Sequence, residues 1–235
     1  MSASPSRNMS TRAQGRRLWI GGLLLVAICA LGSPGNLQAK AFDDFFFAIQ
    51  MDDEQRLRNW LLRGMDPNTI SNDGFPAITY ALVQDSPKAF AVLLKHPKTK
   101  LNQPDSRGDT PLMIAAARNK PDQLAALLQQ GANVDRAGQW SALHYAAAAG
   151  STSCIELLVK AKANLNAQSE NGTTPLMMAA RQGREDATRL MLRLGADPSP
   201  VNEAGFNAAG YAMRADRKEL AMEIMRKEKA LRRAP

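Results

Sequence analysis

The sequence predicts an all-α solenoid in which helix pairs, joined by β-hairpin-like fingers, stack side by side. Three observations predict it. A unit of about 33 residues recurs along the chain, the best units open with T-P-L, and several close on G-A-D or G-A-N. A unit of this length cannot bury its own apolar face, so each unit must pack against its neighbours.

One apolar position aligns the units. It is Leu112 in "RGDTPLMIAAARNK", Leu143 in "AGQWSALHYAAAAG" and Leu176 in "NGTTPLMMAARQG". Ile78 and Ala209 occupy the same position in two weaker copies. The steps between these five aligned positions are 34, 31, 33 and 33 residues. The agreement in order and spacing makes chance similarity a poor explanation.

The second of these units shows how the residues predict the local structure. Thr110 is suited to cap the first helix, and Pro111 then takes the first helical position, where no intrahelical partner for an N–H is lost. The pair Ala115 and Ala116 keeps that helix thin, so neighbouring units can approach closely. Gly131 follows the second helix, where a left-handed residue ends it.

This pattern resembles the ankyrin repeat, and the resemblance covers about residues 45–231. It implies a protein partner held along the fingers and along the concave face of the first helices. His144 fills the family's histidine position, where the ring is expected to hydrogen-bond and to fix the finger. The family's binding positions vary, so the resemblance names no partner.

The repeat boundaries follow from the alignment. A degenerate N-terminal repeat at 42–72, with Gly64 as its helix-ending glycine, precedes the full repeats. The segment "KHPKTKLN" departs from the glycine pattern, so the first full repeat should end differently. The 31-residue step predicts a stunted finger at Ala137–Gln139. A charged final helix suits a solvent-facing cap. The full repeats are expected at 73–104, 105–135, 136–168, 169–201 and 202–235.

The first 41 residues have the order of a bacterial secretory signal peptide. Four arginines precede an apolar run at about 18–31, and the motif A-K-A at 39–41 follows. We expect export to the periplasm, cleavage after Ala41 or otherwise after Ala39, and no stable membrane anchor afterwards.

Three alternatives to a cleaved general-secretion signal stay open. An uncleaved anchor is disfavoured because the apolar run is shorter than the roughly 20 residues of a membrane span. A lipoprotein signal through Cys29 is disfavoured because Ile28 before it is large. Arg16 and Arg17 could form a twin-arginine signal, although we favour the general secretion route.

Removal of residues 1–41 changes the charge. That segment holds five of the 30 basic residues and none of the 22 acidic ones, so the remainder carries 25 − 22 = +3, against +8 for the whole chain. The sequence has neither a basic face with interleaved aromatic residues nor a nucleic-acid motif. We therefore expect no nucleic-acid partner and interpret the basic C-terminal end as a solvated cap.

No catalytic or metal-binding motif is present in the sequence. It lacks H-E-x-x-H, C-x-x-C, G-x-S-x-G and a glycine-rich phosphate loop. After cleavage Cys154 is the single cysteine, expected as a buried structural thiol. The acidic runs at 52–54 and 185–186 are assigned to helix starts. We expect a monomeric, non-catalytic protein without cofactor or metal. The methionines are expected mostly at core positions; they include Met113, Met177, Met178, Met191, Met222 and Met225.

One column of residues is the candidate binding site. It lies three residues before each aligned position, where a finger meets the concave face. Three of its occupants are aromatic in a chain with only 6% aromatic residues. Each ring could pack on its own finger, or the rings could form a recognition stripe. The candidate set is Phe75, Asp109, Trp140, Thr173 and Phe206, together with Arg181.

The sequence thus predicts a periplasmic protein-binding module. More specialised alternatives are an inhibitor or immunity protein for a cell-wall enzyme or toxin, and a stabilising companion of a periplasmic enzyme such as a catalase. An enzyme with an unrecognised site is the alternative of a different class.

Overall fold

The computed structural model describes residues 34–135 and 140–233, which form twelve α-helices without a β-strand. This confirms the predicted all-α class. The basic segment and apolar run of the expected signal peptide, and the expected stunted finger at Ala137–Gln139, lie outside the described residues. The helices are α1 (Pro34–Gln50), α2 (Glu54–Leu62), α3 (Ala77–Val83), α4 (Pro87–Lys95), α5 (Pro111–Ala117), α6 (Pro121–Gln129), α7 (Ala142–Ala149), α8 (Thr152–Lys160), α9 (Pro175–Arg181), α10 (Glu185–Arg193), α11 (Ala208–Arg214) and α12 (Lys218–Leu231).

The helices of the unit that begins at Phe42 pack in two rows. The inner row is formed by α3, α5, α7, α9 and α11, each packed against the next. In the outer row α2 packs on α4, while α6, α8, α10 and α12 follow one another. Each inner helix also packs on the outer helix that follows it in the chain. Among the described residues, no helix is both long and apolar enough to cross a membrane.

The aligned apolar positions form the centre of the stack. Ile78, Leu112, Leu143, Leu176 and Ala209 are at most 3% exposed. The alanine pairs of the inner helices α5, α7 and α9 are fully buried. Since alanine adds little volume, neighbouring inner helices approach closely, as the repeat pattern predicts.

The helix ends follow the predicted chemistry. The hydroxyl of Thr110 accepts a hydrogen bond from the N–H of Met113 at 3.4 Å, and Pro111 follows at the first helical position. Gly131, after α6, has a φ of +86°, in the left-handed region that favours glycine.

The first full repeat ends differently, as predicted from the absence of a glycine. His96, the residue after α4, is extended. The carbonyl oxygen of Leu93 accepts hydrogen bonds from the His96 N–H at 3.1 Å and from the Thr99 hydroxyl at 2.6 Å. A threonine hydroxyl thus satisfies a carbonyl at the helix end that a glycine turn would otherwise satisfy.

The acidic runs and the final helix lie as expected. Asp53 caps α2 by accepting the N–H of Arg56 at 3.0 Å, and Glu185 and Asp186 lie in the first turn of α10. Only one face of α12 is buried, through Leu220, Ala221 and Ile224.

Two methionines correct the expectation of core positions. Met113, Met177 and Met191 are buried, but Met222 is 49% exposed and Met225 is 45% exposed. Both lie on α12, the last helix of the outer row, whose outward face has no following helix to cover it in the described chain.

Cys154 is fully buried on α8, and its backbone N–H donates to the Ser151 hydroxyl at 3.3 Å. Burial raises the pKa of the thiol, and hydrogen bonds of the thiol with the Ser151 side chain and the Lys120 backbone oppose this only in part. Because the thiolate is the reactive form, a thiol reagent should label Cys154 slowly in the native protein and quickly in denaturant. Labelling followed by mass spectrometry measures both rates, and equally rapid native labelling would contradict a buried structural thiol.

Candidate partner-binding surface

Each described finger is closed by paired hydrogen bonds. The first residue of the finger donates its N–H to the carbonyl oxygen of the column residue four positions later, over 2.8–3.1 Å. The N–H of the column residue donates back to the side-chain oxygen of the first residue, over 2.9–3.2 Å. The backbone at the column is therefore fixed, while its side chain is free to vary. The pairs are Ser71–Phe75, Asp105–Asp109, Ser169–Thr173 and Asn202–Phe206.

Consecutive fingers are tied together at their bases by a ladder of side-chain oxygens that our sequence reasoning missed. Each oxygen accepts a backbone N–H of the next repeat, over 2.7–2.9 Å. The acceptors recur at steps of 34, 33 and 31 residues, so their spacing in the sequence could have revealed the ladder. The ladder makes the row of fingers a pre-organised surface. The acceptor and donor pairs are Asn68–Lys100, Asn102–Asn133, Asp135–Asn164 and Asn166–Asp197.

His144 fixes a finger, as the family resemblance implies. The imidazole is fully buried, and its Nδ1 accepts the N–H of Ser141 at 3.1 Å. Nε2 therefore carries the proton and donates to the carbonyl oxygen of Thr173, in the next finger, at 2.9 Å. Burial lowers the pKa of His144 against the opposing effect of the Thr173 carbonyl. A neutral ring held on both nitrogens serves structure and has no free atom for catalysis.

Four of the five column residues remain partly exposed: Phe75, Asp109, Trp140 and Phe206. Thr173 is only 3% exposed, because its hydroxyl accepts the amide of Asn202 from the next finger at 3.2 Å. Thr173 therefore offers little surface to a partner, although it lies in the same column.

Each aromatic ring of the column also has a contact within the protein. The guanidinium of Arg107 lies 5.5 Å from the centre of the Phe75 ring. Trp140 meets the His144 ring edge to face at 5.2 Å, and Phe206 lies 5.3 Å from the Tyr211 ring. Each ring is therefore held by a contact within the protein, from its own repeat for Trp140 and Phe206 and from the next repeat for Phe75, and still presents part of its surface.

A second aromatic column runs beside the first and was missed in the sequence. Tyr80, Tyr145 and Tyr211 are the three tyrosines of the chain, and each lies two residues after an aligned position. Each also lies five residues after an aromatic column residue, so three aromatic pairs in the sequence occupy alternate repeats. The two rings are in contact in the last pair, with centres 5.3 Å apart, whereas Tyr80 packs edge to face on Phe46 of α1 at 5.1 Å. Helices pack 8–10 Å apart, so successive pairs are separated by roughly 16–20 Å. The aromatic pairs are Phe75–Tyr80, Trp140–Tyr145 and Phe206–Tyr211.

Charged groups near the middle of this surface are bonded to one another within the protein. Asp109 accepts a short hydrogen bond from the hydroxyl of Tyr145 and pairs with Arg107 at 3.6 Å. Arg107 also pairs with the buried carboxylate of Asp105 at 3.1 Å. Burial raises the pKa of Tyr145, and the hydrogen bond to Asp109 raises it further, so the phenol stays protonated. This part of the surface is an internally bonded network of two carboxylates and one guanidinium, so it carries one net negative charge.

The last two repeats carry two arginines beside aromatic rings. The guanidinium of Arg214 lies 4.9 Å from the centre of the Phe206 ring, and that of Arg181 lies 5.9 Å from the centre of the Tyr211 ring. The Tyr211 hydroxyl accepts the amide of Asn202 at 2.8 Å. Arg181, the sixth candidate residue, thus belongs with Phe206 rather than with the middle of the column. We call these two arginines and two rings the arginine–aromatic cluster.

Within residues 34–135 and 140–233, no group of three or more His, Cys, Asp or Glu side chains is placed to hold a metal ion. The only two histidines of the chain also lie in different settings, since His96 belongs to an outer turn and His144 to the buried base of a finger. The features that this surface offers are apolar rings, fixed backbone and charge.

Comparison with models of known protein families locates the repeats along the chain. A family model for ankyrin repeats matches three overlapping stretches, residues 45–138, 119–202 and 143–230. The matches together extend from the end of α1 into α12 and include all six candidate residues.

Known proteins with similar sequences include bacterial and vertebrate ones. An ankyrin repeat-containing protein of Treponema pallidum is 31% identical over 185 residues, which are 75% of this chain and 60% of that protein. Neurogenic locus notch homolog protein 1 of Homo sapiens is 32% identical over 179 residues, and that of Danio rerio is 28% identical over 180 residues. Each of these two alignments covers 69% of this chain and 7% of the notch protein. The chain therefore spans less than two thirds of each relative.

Proposed function

This chain belongs to the ankyrin-repeat family, and we propose that it is a non-catalytic, monomeric module that binds one protein partner through its fingers and inner helices. Ankyrin repeats are protein–protein interaction modules. The observation that carries the proposal is the row of partly exposed aromatic residues, which lie beside fingers closed by hydrogen bonds in the first and last full repeats. Partly exposed aromatic residues on a rigid surface are typical anchors of protein interfaces.

The spacing of the aromatic pairs supports an elongated partner. Pairs separated by roughly 16–20 Å match about five or six residues of an extended segment, at 3.3 Å per residue, or three turns of helix. Three such pairs therefore suit a partner that lies across all five full repeats. A small ligand would occupy one pair at most.

Capture from extracts of the source cells tests this function. The purified chain is immobilised, and the proteins it retains are quantified by mass spectrometry. A chain in which Trp140 and Phe206 are both replaced by alanine serves as the matched bait, with folding checked by circular dichroism. The proposal requires a protein that the unaltered chain retains stoichiometrically and the folded variant loses. Retention of the same proteins by both baits would contradict a binding surface at the aromatic pairs.

We place this function in the periplasm, on the basis of the basic segment, apolar run and A-K-A motif of the first 41 residues. The compact repeat unit begins at Phe42. A mature chain that begins there would keep the whole unit.

Export makes a direct prediction. Expressed with its own N-terminus in a Gram-negative host, the protein should be recovered from the periplasmic fraction, with Phe42 or Lys40 as its first residue. N-terminal sequencing of the fractionated protein measures this. Recovery of the intact chain from Met1 in the soluble cytoplasmic fraction would refute export, and the charge of +3 expected for the mature chain would then be wrong as well.

A further inference from the structure

We propose that the arginine–aromatic cluster binds a carboxylate-bearing, extended segment of the partner protein. The inference rests on the proposed function, since it names the chemistry of the partner at one end of the same surface. It assigns Arg181 and Arg214 as the groups that recognise the carboxylates, and Phe206 and Tyr211 as the apolar floor beside them.

The geometry of the cluster prepares the two guanidinium groups. Arg214 stacks on Phe206 and Arg181 on Tyr211, while the two ring centres are 5.3 Å apart. Tyr211 is itself held by the Asn202 amide. A guanidinium on an aromatic face keeps its N–H edge available for hydrogen bonds, and the stacking reduces the freedom it loses when it binds an anion.

Neither guanidinium has an acidic partner in the part of the chain that the structure describes. Both side chains are exposed, and neither forms an ion pair with a described carboxylate. Arg107, in the second full repeat, is by contrast paired with Asp105 and Asp109. The two clustered arginines thus provide two forks of donors that suit bidentate binding of carboxylate groups.

The distribution along the stack gives the partner segment a direction. The position of Arg181 and Arg214 in the repeat, five residues after each aligned position, is Val83, Ala117 and Ala148 in the first three full repeats. At this position of the repeat, basic residues are therefore confined to the last two repeats, and the other three residues are apolar and small. An acidic end of the partner should lie at the last two repeats, with its apolar residues toward the first.

This distribution favours a protein segment over a nucleic acid. A nucleic-acid strand carries evenly spaced phosphates and would be matched by cations along the whole row of repeats. Two cations at one end, beside apolar rings and the 46% exposed Met213, match a segment with mixed acidic and apolar side chains.

A peptide selection tests the inference without knowledge of the natural partner. A library of random 15-residue peptides displayed on phage is panned against the purified chain, and in parallel against the R181Q/R214Q variant. The unaltered chain should enrich peptides with Asp or Glu at one end and apolar residues further along, and the variant should not. A selected peptide and its Asn/Gln analogue are then measured by fluorescence anisotropy. We expect at least tenfold weaker binding for the acidic peptide with R181Q/R214Q, and no further loss when the same variant meets the analogue.

The matched control removes the same two charges elsewhere. Arg193 on α10 and Arg226 on α12 are exposed arginines of the outer row without a described carboxylate partner. R193Q/R226Q should change the affinity for the acidic peptide by less than twofold. Circular dichroism should be the same for both double variants, and R181Q/R214Q should melt at most a few degrees lower, because it loses two exposed cation–π contacts.

Several outcomes would overturn the inference. They are the selection of no peptides, peptides without acidic enrichment, equal weakening by the two double variants, and displacement of the acidic peptide by an equally low concentration of a single-stranded oligonucleotide. Capture separates the two proposals. A partner lost by the Trp140/Phe206 variant but fully retained by R181Q/R214Q leaves the proposed function standing and removes the carboxylate assignment. A partner retained by both variants removes both.

Discussion

Replacement of Leu143 by alanine should lower the free energy of unfolding by about 2–5 kcal/mol, the range for removal of a fully buried leucine side chain. Leu143 is 0% exposed and lies on α7, which packs against both α5 and α9. The cavity would therefore open where two repeat interfaces meet. Chemical denaturation followed by circular dichroism measures the loss.

The position in the stack matters because stability in a repeat protein is approximately a sum of repeat and nearest-neighbour terms. When the packing around α7 is weakened, the repeats before it and the repeats after it are less strongly coupled. We therefore expect L143A to broaden the unfolding transition or split it, in addition to moving its midpoint. The apparent slope of the transition should fall if the halves unfold separately.

Leu231 is the matched leucine at the other extreme. It is 46% exposed at the last residue of α12. L231A should lower the free energy of unfolding by less than about 1 kcal/mol, because chain ends open locally at little cost. If L143A and L231A lowered the free energy of unfolding equally, the charged helix α12 would not be the frayed terminal cap of the stack.

The sequence was sufficient for the repeat register because each repeat is defined by local rules. Thr110 and Pro111 act within one turn, and the burial of Leu112 follows from helical spacing within a short unit. The neighbours that cover these residues are copies of the same unit. Each copy therefore carries the same sequence pattern, and the five aligned positions could be predicted together.

The surface was predicted less completely because it depends on contacts between repeats. The exposure of Thr173 could not be judged from its own repeat, since Asn202 of the next finger covers it. The stacking of Arg181 on Tyr211 likewise joins two repeats. The regular spacing of the tyrosines was present in the sequence, but a tyrosine in a helix becomes a surface feature only once the inner row is placed.

Trp140 both packs within its repeat and belongs to the proposed binding surface. Its replacement should therefore affect folding and binding to different extents. The ring makes an edge-to-face contact with His144, at 5.2 Å, and remains partly exposed. Such ring pairs contribute roughly 0.5–1.5 kcal/mol. W140A should therefore lower the melting temperature by a few degrees and preserve the helical signal.

The affinity of W140A for the captured partner should fall by about 2 kcal/mol or more, which is about 30-fold, because Trp140 belongs to the central one of the three aromatic pairs and tryptophan is a frequent hot spot. W140F keeps a ring and should recover part of the affinity. T173A, in the same column but with a side chain buried under Asn202, should change the affinity less, and so should D109A. Calorimetry of each folded variant with the partner measures these differences.

If W140A instead unfolded the protein while its remaining folded fraction bound with unchanged affinity, Trp140 would act only by holding His144. The central aromatic pair would then be part of the finger's support, and binding would have to be carried by the rings of the first and last repeats.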